Sequence, residues 1–196
     1  KGENNRRGEV FETFLTKLEN IGYTPKWRVI MAADFGIPQL RERLFVVATR
    51  GRNGFQYPER THASVEECGG LFALEPYVGI GTVINGLGKP SPKVRGQTVY
   101  DREDSHVDVT PERDRERIAQ VPEGSYLAAQ VHLGEELRRG LTPKDTTKYL
   151  RLHHGRPSNT LRCGEIFFHP TENRYLTPRE CMRIHGYPDN YYLKGP

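Results

Sequence analysis

The longest uninterrupted apolar runs in this chain are five residues each, Val29–Ala33 and Leu44–Ala48. A membrane-crossing helix needs about 20 such residues, so neither run can span a bilayer. A core must therefore come from short strands and amphipathic helices. The 196 residues allow one domain, or one domain with part of another. At 35% hydrophobic and 28% charged, the chain is polar for a globular protein, yet too rich in Phe, Tyr, Leu, Ile and Val for disorder. It opens Lys-Gly-Glu-Asn-Asn-Arg-Arg, without Met or an apolar stretch, so no signal peptide is expected and excision from something longer is. Cys68, Cys163 and Cys181 are too scattered for a disulfide framework, which points to a reducing cytoplasm and no membrane partner.

Val10, Phe11, Phe14, Leu15, Leu18 and Ile21 recur at helical spacing before Gly22, which predicts an amphipathic helix over 9–21. Alternation around Trp27, Val29 and Met31 predicts a short strand, and Ala32 to Pro38 a turn. Leu44–Ala48 reads as a strand buried on both faces of a parallel sheet. Gly51 to Lys93 is rich in Gly and Pro, with apolar pieces at Leu71–Leu74 and Val83–Leu87, and sets a domain boundary near 50–60. Residues 111–120 suit a helix with Thr110 as N-cap and Pro111 at the first helical position. Thr177-Pro-Arg-Glu180 is a capping box opening a helix that runs to about His185, where Gly186 and Pro188 end it.

The formal charge is +4, but its distribution is uneven. Between Arg138 and Arg162, Arg138, Arg139, Lys144, Lys148, Arg151, Arg156 and Arg162 are opposed by Asp145 alone. Such a cluster suits a phosphate backbone, and equally suits a solvated face. Nucleotide loops fail: Ile84 stands where a third Gly is needed after Gly79 and Gly81, and Leu87 where a phosphate-loop Lys belongs. Metal and hydrolase signatures are absent, and the Cys181–His185 pair, sharing a helix face, reads as structural.

One constellation survives. Gln39-Leu40-Arg41-Glu42-Arg43 leads into the apolar strand, and residues two apart on an extended chain share a side. Gln39, Arg41 and Arg43 would then form a polar row, with guanidiniums suited to a phosphate or a base carbonyl. The alternative is a pair of structural bridges to Glu42 or Asp34.

Ala32-Ala-Asp-Phe-Gly-Ile-Pro-Gln-Leu-Arg-Glu-Arg-Leu-Phe-Val-Val-Ala48 resembles the eighth characteristic motif of DNA (cytosine-5) methyltransferases. Arg174-Tyr-Leu-Thr-Pro-Arg-Glu-Cys-Met-Arg-Ile-His-Gly-Tyr-Pro-Asp189 resembles their ninth, and Pro157-Ser-Asn-Thr-Leu161 the end of their target-recognition domain. The resemblance implies an enzyme that flips a cytosine out of double-stranded DNA and methylates it from S-adenosylmethionine. By position it gives Arg43 a role holding the flipped base, with Arg41 supporting that pocket and Gln39 shaping its edge. Ser158, Thr160 and Leu161 would belong to the recognition loops, and Arg179 and Glu180 to the helix that organises them. Arg151, Arg156 and Arg162, in the basic cluster beside the Thr-Leu pair, and Arg179 are expected to contact DNA.

The departures matter as much. The family nucleophile follows Pro, whereas Cys68, Cys163 and Cys181 follow Glu67, Arg162 and Glu180. The cofactor motif and the motif expected beyond the C-terminus are missing, and Glu19-Asn20-Ile21 sits too late to be the catalytic Glu-Asn-Val. The expected fold is thus an α/β fragment of a methyltransferase catalytic domain (1–52), a mixed, loop- and strand-rich recognition domain (53–173) and a capped helix returning toward the catalytic domain (174–196). The fragment is expected to bind DNA weakly, to hold no cofactor or metal itself, and to need the remainder of the methyltransferase for activity. A subunit of a split enzyme and a stand-alone DNA-binding module are the rival readings.

Overall fold

The computed structural model describes residues 8–51, 54–68, 74–98, 104–142, 144–162 and 164–193. Cys163 and most of the Leu71–Leu74 piece lie outside them. In chain order the elements are α1 (Glu9–Asn20), β1 (Thr24–Met31), β2 (Gln39–Leu40), β3 (Glu42–Thr49), β4 (His62–Ala63), β5 (Glu75–Pro76), α2 (Ile80–Ile84) and β6 (Ser91–Pro92). Then follow β7 (Val107–Asp108), α3 (Glu112–Ala119), α4 (Glu135–Arg138), β8 (Leu150–Arg151), β9 (Ser158–Asn159), β10 (Phe167–Phe168) and α5 (Pro178–Ile184). They form two compact units: one of residues 1–31 and 42–60, the other of 32–41 and 61–196. No described helix is long and apolar enough to cross a membrane.

In the first unit, α1 carries Glu9 and Glu12 in its first turn and Lys17 in its last, each favourable to the helix dipole. Gly22, at φ +85°, supplies the left-handed turn that ends it, with its N–H bonded to the Glu19 carbonyl. Phe11 sets its ring edge-on to Trp27 of β1, centroids 5.4 Å apart. β1 and β3 pair from Thr24↔Thr49 to Met31↔Glu42, and the pairing is antiparallel, not parallel. The connection explains this correction: ten residues without a crossover helix are too few to return a strand in parallel. Nor is β3 buried on both faces; Leu44 is 50% and Phe45 47% exposed. A continuous apolar run records compatibility with two-sided burial, not strand direction.

The second unit is held by two apolar clusters rather than by one large sheet. Ile80, Ile84, Leu150, Leu152, Leu161, Phe167, Leu176 and Ile184 form the first, and Ile118, Val121, Leu127, Leu133 and Phe168 the second. At about 1.5–3 kcal/mol per fully buried aliphatic side chain, these clusters are the main cohesive term. Four parallel two-residue ladders, β2–β9, β4–β5, β6–β7 and β8–β10, tie loops together across them. Helix α3 begins with Pro111, not Thr110, at the N-cap, and no side chain caps it. The Thr110 hydroxyl instead accepts the Tyr175 N–H at 2.8 Å, a long-range demand that outranks the local cap.

Polar groups are buried among this apolar packing. Arg174 donates twice to the Glu180 carboxylate, at 2.8 and 2.7 Å, and again to Glu172. Asp114 accepts from Arg117, Arg139 and the Tyr175 hydroxyl. Desolvated charges of this kind are costly unless paired, and each carboxylate here meets at least one guanidinium. At α5 the capping box is complete: Thr177 accepts the Glu180 N–H and Glu180 accepts the Thr177 N–H.

Candidate functional site

The polar row expected at residues 39–43 is broken by the chain itself. The Arg41 N–H bonds back to the Gln39 carbonyl at 3.0 Å, so the backbone turns between β2 and β3 and the two-residue alternation is lost. Gln39 points inward, 1% exposed. Arg41 is half-buried in the second unit, while Arg43 is exposed in the first, its guanidinium donating to its neighbour's carbonyl, that of Glu42, at 2.6 Å.

Around Gln39 and Arg41 the second unit builds a cleft of about 390 Å³ lined by Ala32, Ile37, Gln39, Arg41, His185 and Tyr187. Its floor is the 32–41 loop, closed by the Ala32 N–H on the Arg41 carbonyl at 2.9 Å. Gly36, at φ +80°, makes the turn inside it, and a Cβ there would sit 2.9 Å from the His62 ring. Its outer edge is β2, laid parallel to β9 with Gln39 opposite Ser158 and Leu40 opposite Asn159. Ser158 donates to the Pro38 carbonyl through both its backbone N–H and its hydroxyl, and the Thr160 hydroxyl donates to the Leu40 carbonyl at 2.9 Å. The loop carrying the Thr-Leu pair is thereby stitched to the segment carrying Gln39 and Arg41.

The third wall comes from the end of α5. Gln39 Nε2 donates to His185 Nδ1 at 3.2 Å, while the Gln39 amide oxygen is buried with no hydrogen-bond partner. Burial, and secondarily the Arg41 charge, lower the His185 pKa below its ordinary value, so the ring is neutral at neutral pH. The formal charge of the lining is therefore that of Arg41, whose guanidinium has no ion-pair partner among the described residues. Asp34, a proposed bridge partner, accepts the Tyr77 hydroxyl at 2.7 Å instead. Such a cleft can receive a phosphate or a polar ring edge. His185 and Tyr187 join the lining without a motif that marks them; for His185 the sequence offers only the helix face it shares with Cys181. Cys181 packs partly buried against the first apolar cluster, its thiol pKa pushed up to about 12 by desolvation.

The basic cluster divides. Arg151 is 8% exposed and donates to the carbonyls of Pro170, Ile118 and Val121 and to Asn173. Arg179, 2% exposed, donates to the carbonyls of Asp104, Asp189 and Tyr191. Both guanidiniums are bonded to backbone carbonyls inside the fold rather than exposed, as a phosphate-facing cluster would have them. A buried Arg is rare enough that sequence alone assigns it to the surface. Arg139 is paired with Asp114, Lys148 with Asp145, and Arg162 with Glu165 at 3.5 Å. Arg156 and Arg162 are exposed; Ser158 and Leu161 are buried.

The family model for C-5 cytosine-specific DNA methylases matches residues 3–196. The chain belongs to this methylase family. Type II methyltransferase M.NgoFVII of Neisseria gonorrhoeae is 27% identical to it over 193 residues, 95% of this chain and 47% of that protein. M.Eco47II of Escherichia coli is 29% identical, over 98% of this chain and 45% of its own length. M.BspRI of Lysinibacillus sphaericus reaches 36% over 92 residues, 45% of this chain and 20% of its own. The chain thus spans just under half the length of the methylase relatives it matches end to end. A crystal structure of a prophage-encoded E. coli protein, assigned as a DNA modification methyltransferase, shares the fold at TM-score 0.55 and 16% identity, over 95% of this chain and 56% of that one.

Proposed function

We propose that this chain is the DNA-recognition portion of a site-specific DNA cytosine-5 methyltransferase, which transfers a methyl group from S-adenosylmethionine to a cytosine flipped out of the duplex. The observation that carries the reading is the docking of the Ser158–Thr160 loop on Gln39–Leu40 beside Arg41 and His185. It fixes the recognition-domain end to the stretch resembling the eighth motif, beside the cleft that this stretch shares with His185 and Tyr187 of the ninth.

In this reading Arg41 supplies the positive charge that meets a phosphate or base carbonyl at the cleft, and Arg43 holds the flipped cytosine. Gln39, with an amide oxygen still lacking a donor, orients the cleft edge, and His185 keeps that amide in place as a neutral ring. The Thr160 hydroxyl anchors the recognition loop, and Arg156 and Arg162 meet phosphates from the exposed side of the same unit. S-adenosylmethionine would supply the methyl group. The cleft lining contains no carboxylate for ribose hydroxyls, so it does not fit that cofactor, which is assigned to the remainder of the methyltransferase.

The test is Arg43→Ala in the complete, reconstituted enzyme. Methyl transfer should fall at least tenfold further than DNA affinity, as for a group acting on the flipped base; equal losses would favour a DNA-binding module without catalytic duty. A partner reading frame encoding the other motifs would assign the chain to a split enzyme. The chain alone, lacking nucleophile and general acid, should transfer no methyl group.

A further inference from the structure

Away from the cleft, the second unit brings together three side chains that no motif links. Glu123 lies in the turn after Val121, and His153 and His154 in the loop after β8. One carboxylate oxygen and one nitrogen from each ring lie within 4.8 Å of one another. Glu123 Oε1 is 3.9 Å from His153 Nδ1 and 3.5 Å from His154 Nδ1. We infer that Glu123, His153 and His154 form a binding site for one divalent transition-metal ion of the zinc class.

The chemistry of the donors decides the class. Two imidazoles and one carboxylate are a borderline set that suits Zn²⁺, Ni²⁺ or Cu²⁺, whereas Mg²⁺ and Ca²⁺ seek oxygen ligands. Tetrahedral zinc with bonds near 2.0–2.1 Å needs ligand atoms about 3.3 Å apart. The Glu123–histidine separations of 3.9 and 3.5 Å lie within about 0.6 Å of that value.

The surroundings fix the ligands. The His154 backbone N–H donates to Glu123 Oε1 at 2.6 Å, which pins the carboxylate against the two rings. The two loops are clamped by the Gly124 N–H on the Arg151 carbonyl and the Arg151 N–H on the Ser125 carbonyl. On the other side the Gly81 N–H bonds to the His154 carbonyl. Glycines leave the room: a Cβ on Gly81 would lie 2.6 Å from the His154 ring, and one on Gly79 2.7 Å from its carbonyl oxygen. The rings stack at 16° with centroids 6.1 Å apart, and the His154 side chain is 62% exposed, so an ion has an open path from solvent. Metal capture at His153 Nδ1 displaces the Gly155 N–H, which donates there at 3.1 Å. One or more coordination positions would face solvent and take water or an anionic oxygen.

Isothermal titration of the 196-residue chain with Zn²⁺, and separately with Mg²⁺, tests the site. One equivalent of Zn²⁺ should bind with micromolar affinity and raise the melting temperature, while Mg²⁺ should give no heat. His154→Gln and His153→Gln should each weaken Zn²⁺ binding roughly tenfold or more. His154→Gln changes an exposed side chain, so its unliganded melting temperature should equal that of the parent chain. Co²⁺ should give visible d–d absorption that both variants lose. Zn²⁺ affinity no better than millimolar, or variants binding as tightly as the parent, would overturn the proposal.

Discussion

At the scale of single residues, the decisive facts concern which polar groups the fold takes inside. Arg151 and Arg179 look like phosphate ligands in the sequence and act as internal donors to backbone carbonyls. His185 looks like half of a helix-face pair and serves as the neutral support of Gln39. Its lowered pKa has a consequence for stability. The unfolded chain takes up a proton near the ordinary imidazole value of 6.5 while the folded ring resists it, so the unfolded state binds more protons below that pH. Stability from His185 is thus full above 6.5 and lost as pH falls beneath it; buried His169, lowered by desolvation and by Arg174, adds the same sign. Urea denaturation should show a falling midpoint from about pH 7 to pH 5, within the ordinary histidine range. His185→Asn should flatten that slope, and an unchanged slope would assign the dependence to other groups.

At the scale of elements, α1 and α5 were legible and the short ladders were not. Both helices announce their ends within four residues: Gly22 and Gly186 take left-handed φ, and Thr177 with Glu180 caps its own backbone. Information that local survives translation from sequence to structure. The capping box is also a stability device. Thr177→Ala removes the acceptor for the Glu180 N–H and the buried contact to His106 Nδ1 at 2.9 Å. It should cost about 1–2 kcal/mol, the upper part of the range for an N-cap, because the site is buried. Thermal or urea unfolding of the folded variant would measure this, and a loss under about 0.5 kcal/mol would argue that water replaces the cap. By contrast, β2–β9 joins residues about 120 positions apart through two residues per strand, and no periodicity can mark so short a ladder. The α3 cap failed for a related reason: Thr110 is a competent N-cap, but Tyr175 claims its hydroxyl.

At the scale of the whole molecule, the division of the basic cluster makes its own prediction. Arg156→Ala should weaken DNA binding and reduce the salt slope by about one, as loss of one phosphate contact does, while leaving stability intact. Arg151→Ala should instead destabilise by more than about 2 kcal/mol, since several buried carbonyls lose their donor. Fluorescence anisotropy at two salt concentrations, paired with denaturation, separates the two; a stable Arg151 variant with selectively weakened binding would reverse the assignment.

The sequence by itself determined the family and the ends of α1 and α5, because long motifs and caps are encoded by neighbours in the chain. The antiparallel β1–β3 pairing, the burial of Arg151 and Arg179, the Gln39–Arg41–His185 cleft and the Glu123–His153–His154 cluster were decided only by tertiary structure. Each depends on contacts between distant segments, and in a chain whose strands are mostly two residues long those contacts are set by packing and backbone hydrogen bonding that leave no periodic trace.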